Sequence, residues 1–134
     1  MDFFESLPKY PNKKVAILDD DHFYFNTLSP IFIGEISCIV KYINTKEPFV
    51  ENVISYNPDI IFFTTRHCGN EINFLRENES TKNQIIIILS NTCTKEEATE
   101  LKANDIINKP IDIKILFEKI LFYFDFKMKE IPLK

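Results

Sequence analysis

The stretch VAILDDD, residues 15–21, sends four apolar residues straight into three carboxylates. An apolar run that short, bounded by polar residues, reads as a buried strand. Asp19, Asp20 and Asp21 at its end repel one another unless something positive sits among them. What that partner is must be sought in the rest of the chain.

Outward from this strand, which begins at Lys13, apolar runs alternate with helical patterns. Asp21 is placed to cap a helix running to about Gly34, with Pro30 expected to kink or interrupt it. A second strand is expected over 36–43. A helix follows over 45–57, with Thr45 as its cap and Pro48 in its first turn. The run at 59–64 is continuously apolar, so both faces of that strand should be covered. A short helix around 71–78 leads to the most apolar segment, 84–90. Thr94 and Glu97 have the spacing of a capping box and start another helix. A fifth strand over 105–108 precedes Lys109-Pro110, and Asp112 caps a last helix reaching about Phe126. Strands alternating with helices predict an α/β fold with a doubly wound parallel sheet, because parallel strands need crossovers. The expected organisation is an N-terminal extension (1–12), one domain (13–126), and a tail or linker start (127–134).

The chain's 134 residues are enough for one core. A net charge of −4 argues against nucleic acid as a partner, and no run approaches the roughly 20 apolar residues that span a bilayer. Cys38, Cys68 and Cys93 make an odd count without CxxC spacing, which implies reduced thiols and a cytoplasmic setting. Gly34 and Gly69 are the only glycines, so there is no glycine-rich phosphate loop; there is no nucleophile elbow either. No enzymatic activity is expected.

In a doubly wound sheet the site lies beyond the carboxyl ends of the strands. The residues delivered there are Asp19, Asp20 and Asp21, then Thr64, Thr65, Arg66, His67 and Cys68, then Ser90 and Asn91, and finally Lys109-Pro110. Carboxylates, hydroxyls and one lysine converge on one crevice. Taken singly, each is a helix cap or a loop residue; together they make a site.

These marks, with NPDIIFFT (57–64), IIIILS (85–90) and INKPID (107–112), resemble the response-regulator receiver domain of two-component signalling over about 13–126. The resemblance implies a five-stranded flavodoxin-like sheet in the order 2-1-3-4-5 with five helices. It implies Asp19 and Asp20 as the magnesium-binding acidic pair and Ser90 as the hydroxyl that bonds a phosphoryl group. Lys109 is implied as the lysine that contacts that group, and Pro110 as the proline after a cis peptide bond.

The departure from the family is at Thr64, where the pattern places the phosphorylated aspartate. A threonine hydroxyl is a much weaker nucleophile without a base and would form a different, more inert ester. Its presence also removes one anionic ligand from a hard cation that prefers oxygen in near-octahedral array. Asp59 lies at the far end of the same strand, about 16 Å away at roughly 3.3 Å per residue, and cannot substitute. Ile106 stands where the family has a Tyr or Phe switch, Lys102-Ala103-Asn104 replaces a small-residue stretch, and the Ser90–Lys109 interval is shorter than is common.

These features lead to the expectation of a pseudo-receiver that works by phosphorylation-independent protein–protein contact, with magnesium bound weakly if at all. Lys109 is expected to be the positive group among the carboxylates. The last helix is apolar almost all round. If Ile113, Leu116, Ile120 and Phe124 face the sheet, then Phe117, Leu121, Phe122 and Phe126 are left as a candidate interface, for a signalling protein or a second copy. Two other readings stand beside this one. In the first, the input is anion binding by Ser90, Thr64 and Lys109, or modification of Thr64 or Thr65. In the second, His22, His67 and Cys68 support metal or redox chemistry, with a Cys68–Cys93 disulfide under oxidation.

Overall fold

The computed structural model describes residues 7–64 and 69–130, the last five of these by backbone alone. The elements run β1 (Lys14–Asp19), α1 (Phe23–Ile36), β2 (Ile39–Asn44), α2 (Phe49–Tyr56), β3 (Ile60–Phe63), α3 (Gly69–Glu77), β4 (Ile85–Ser90), α4 (Lys95–Glu100), β5 (Asp105–Asn108) and α5 (Ile113–Glu130). All pairings are parallel, and the sheet order is β2-β1-β3-β4-β5. The expected doubly wound, flavodoxin-like sheet with five helices is what the chain forms. No described helix is long and apolar enough to cross a membrane.

The period-two alternation of the strands divides the core into two layers. Val15, Ile17, Ile60, Phe62, Ile87, Leu89 and Ile107 pack under α1 and α5. Ala16, Leu18, Ile61, Phe63, Ile86 and Ile88 pack under α2, α3 and α4. β1, β3 and β4 are buried on both faces, which is why their sequences read as unbroken apolar runs.

Several boundaries differ from the sequence reading. α1 passes through Pro30 without a break and ends at Ile36. Proline removes the amide that would bond to the Asn26 carbonyl, but Asn26 lies on the solvent side, where water can replace that donor. The helix stops at Ser37, whose left-handed backbone (φ 59°) turns its N–H onto the Ile33 carbonyl at 3.1 Å. The N-cap position is His22; Asp21 stands one residue earlier, its carboxylate accepting from the Phe23 N–H at 2.8 Å. α2 starts at Phe49 after Pro48, and Thr45 is not its cap. The Asn44 side chain accepts from the Lys46 N–H at 2.9 Å and holds 45–47 in a turn instead. The capping box on α4 forms as expected, with reciprocal Thr94–Glu97 bonds of 3.1 Å. Asp112 caps α5 through the Lys114 and Ile115 N–H groups.

The outward face of α5 is smaller than the sequence suggested. Phe117 is fully buried, its ring 6.1 Å from that of Phe32 in α1, so it belongs to the core and not to an interface. Leu121 is half-buried against the same cluster. The reason is that the buried stripe of α5, which includes Leu116, Phe117, Ile120 and Phe124, is wide. Phe122 and Ile115 are exposed, and the Phe126 side chain lies outside the described residues.

Two further devices hold the frame. Residues 7–12, set apart in the sequence as an extension, strap α1 to α5. Leu7 is buried in the core, the Tyr10 N–H donates to the Ile36 carbonyl at 2.7 Å, and the Tyr10 hydroxyl donates to Asp125 at 2.8 Å. At the amino edge of the sheet, Arg76 donates to the carbonyls of Lys102, Lys82 and Gln84 and to the Asn104 side chain, at 2.7–3.0 Å.

Candidate functional site: the carboxyl-edge cleft

The carboxyl ends of β1, β3 and β4 and the turn after β5 open onto a cleft of about 470 Å³. Asp19, Asp20, Asp21, Thr64, Ser90 and Lys109 all line it, so the residues singled out from the sequence do converge. Phe23 and Tyr24 line it too, and the sequence reading missed both. The signal was available: a helix that begins two residues after the acidic run must turn its first aromatics past that run.

Asp19 is buried, 5 % exposed, and each of its oxygens has a donor. Oδ1 accepts from the Asp20 N–H at 2.7 Å, and Oδ2 accepts from the Thr64 hydroxyl. Thr64 is itself buried at the end of β3, where its N–H pairs with the Leu18 carbonyl at 3.1 Å. Burial pushes the Asp19 carboxyl above its ordinary range, against the pull of the Thr64 and Asp20 hydrogen bonds, and the nearby Asp21 charge adds to the rise. Asp20 and Asp21 are exposed.

Lys109 does not sit among the carboxylates, contrary to expectation. Its Nζ lies 4.1 Å from the centre of the Tyr24 ring and 3.5 Å from the Thr64 carbonyl. The ring face attracts the ammonium. Among the described residues the acidic run therefore has no ion-pair partner. Its inner member is eased by two uncharged donors, and its outer members are exposed, Asp21 accepting one backbone bond from Phe23.

The Ser90 hydroxyl accepts from the Thr92 and Cys93 N–H groups at 3.1 and 3.0 Å and so closes the turn after β4. The Lys109 N–H donates to the Ser90 carbonyl at 3.0 Å, and the Lys109-Pro110 peptide bond is cis, as the resemblance implied. Asp59 is at the opposite edge, where it accepts from the Lys14 N–H and pairs with Lys13. His22 stacks on Tyr42, ring centres 3.8 Å apart, and the Tyr42 hydroxyl donates to the Asp19 carbonyl at 3.2 Å. Thr65, Arg66, His67 and Cys68 lie outside the described residues.

Carboxylate oxygens of Asp19, Asp20 and Asp21 lie within 4.8 Å of one another, close enough to share a cation. The donor set nevertheless fits a resident magnesium poorly. The side chain beside Asp19 at the end of β3 is the uncharged Thr64 hydroxyl, which engages Asp19 and adds no anionic ligand.

No protein-family model and no curated protein matches the sequence. Solved structures do resemble the fold. A protein described as a response regulator from Chloroflexus aurantiacus matches 84 % of this chain and 97 % of its own, with a TM-score of 0.74 at 19 % identity. A two-component response regulator from Clostridium difficile matches 85 % and 97 %, with a TM-score of 0.73 at 18 % identity. The chemotaxis protein CheY4 of Vibrio cholerae matches 84 % and 98 %, with a TM-score of 0.70 at 14 % identity. At these identities the shared property is the fold.

Proposed function

We propose that this chain is a receiver-type signalling module that acts by contact with another protein and carries no aspartyl phosphate. The observation that carries this reading is Thr64, at the end of β3, with its hydroxyl donated to Asp19. A fold hosts many functions, so the resemblance to response regulators suggests signalling while the cleft decides the chemistry. A carboxylate at that position would supply both a nucleophile and an anionic magnesium ligand, and threonine supplies only a weakly nucleophilic, neutral oxygen. Lys109, turned onto Tyr24, and Ser90, engaged in its own turn, fit a cleft that has lost its phosphoryl group. No catalytic role is assigned to any residue. The partner is a protein, and the exposed Ile115 and Phe122 of α5 are one candidate contact.

A magnesium titration followed by backbone amide NMR, with acetyl phosphate added last, tests the reading. The amides of Asp19, Asp20, Thr64 and Ser90 are expected to stay in place at millimolar magnesium, with no adduct formed. Shifted amides together with a phosphorylated product would overturn it.

A further inference from the structure

The solvent face of α1 is unlike that of a typical surface helix. Its outward residues are Phe23, Asn26, Thr27, Pro30, Ile33 and Gly34, and none of them is charged. Glu35 is the only charged residue in the helix, and it lies half-buried on the flank. On a chain whose net charge is −4, a whole uncharged helix face needs a reason.

The spacing supplies one. Phe23, Thr27, Pro30 and Gly34 follow at steps of four, three and four, the repeat of a helix–helix seam. The Thr27 hydroxyl is turned back onto the Phe23 carbonyl at 2.9 Å and offers little to solvent. Beyond Gly34 there is open space, with nothing within 4 Å of where a Cβ would stand, so another backbone can approach closely there. Phe23, 64 % exposed, and Ile33, 52 % exposed, supply the apolar area.

The charges at the two ends name the occupant. Exposed Asp20 and Asp21 stand before the first turn of α1. At the other end the exposed Lys9 donates to the Glu35 carbonyl at 2.5 Å, fixing a positive charge beside the last turn. The helix is about 21 Å long at 1.5 Å per residue. Laid antiparallel against itself across a two-fold axis, it brings Lys9 of each copy to Asp20 and Asp21 of the other. The uncharged seam then meets itself without repulsion, and the helix dipoles oppose.

We infer that α1 docks on α1 of a second copy of this chain, antiparallel, through the seam Phe23–Thr27–Pro30–Gly34. The inference rests on the reading of the chain as a contact module and names one contact. Sedimentation equilibrium from micromolar to near-millimolar concentration is expected to show a reversible dimer. Gly34→Arg fits the open space and improves helix propensity, so the fold should persist by circular dichroism while the dissociation constant rises about tenfold or more. Lys9→Glu should also weaken the dimer, and adding Asp21→Lys should restore it. Phe122→Glu should leave it unchanged. A wild-type chain that stays monomeric, a Gly34→Arg variant that dimerises as before, or a dimer abolished by Phe122→Glu would each overturn the inference. None of these results bears on the acetyl phosphate experiment, so the two readings fail separately.

Discussion

The Lys109 ammonium rests on the face of Tyr24, 4.1 Å from the ring centre, in a cleft that three aspartates also line. The attraction is to a ring quadrupole and not to a carboxylate, which makes it weak in a half-open site. Lys109→Ala is therefore expected to lower stability by only about 0.5–1 kcal/mol. Urea denaturation at neutral pH measures this. A loss of several kcal/mol would mean that Lys109 pairs with the acidic run after all.

Asp19 gives the stability a recognisable pH dependence. Its carboxyl is raised above the ordinary value of 3.8, chiefly by burial, so the folded chain holds this proton more tightly than the unfolded chain. Its contribution favours the folded state below that ordinary value and is lost as pH rises through the raised one. Asp19→Asn keeps the acceptor for the Asp20 N–H and turns a donor toward Thr64, whose hydroxyl can reverse its role. At pH 7 the substitution is expected to stabilise the fold, with the difference vanishing below the ordinary carboxylate range. Thermal melts of both proteins between pH 3 and 8 check the sign.

Thr64→Asp would place an anion at the end of β3. Without metal, the new carboxylate beside buried Asp19 should destabilise the chain by roughly 1–2 kcal/mol. Millimolar magnesium should recover that loss in the variant and leave the melting temperature of the unaltered chain where it was. If magnesium has no effect on the variant, Asp19 and Asp20 are not arranged to hold it.

Arg76 serves three carbonyls and one side-chain oxygen from α3, and of these the Asn104 Oδ1 also accepts from the Ile86 N–H at 2.8 Å. Arg76→Met should cost roughly 1–2 kcal/mol, chiefly because the carbonyl of buried Gln84 loses its donor while the packing of the stem is kept and the exposed acceptors turn to water. Equilibrium unfolding in guanidinium measures the effect, which should be nearly independent of pH.

The sheet was legible because strands covered on both faces must be apolar throughout, and 15–18, 60–63 and 85–89 are. The converging edge residues were legible for the same reason: once the strands are placed, their carboxyl ends are fixed. Helix ends were harder to read. Left-handed backbone at Ser37, Asn57 and Lys102 terminates or turns the chain without glycine, so the usual stop signal is missing. A narrow buried stripe would leave Phe117 outward, and only the closeness of Phe32 shows the stripe to be wide. Charge alone sends Lys109 to the aspartates, and its aromatic neighbour draws it elsewhere. Tyr24 is distant in sequence and uncharged, and nothing in the Lys-Pro turn points to it.

The strap across α1 and α5 also has a consequence for the order of events on the ribosome. Tyr10 and Asp125 are bonded across 115 positions of chain. Leu7 and Tyr10 leave the exit tunnel long before Phe124 and Asp125 have been translated, and until then their docking site on α5 does not exist. The nascent chain must carry this segment without its α5 contacts through the making of all five strands. The strap can close only after translation has passed residue 125.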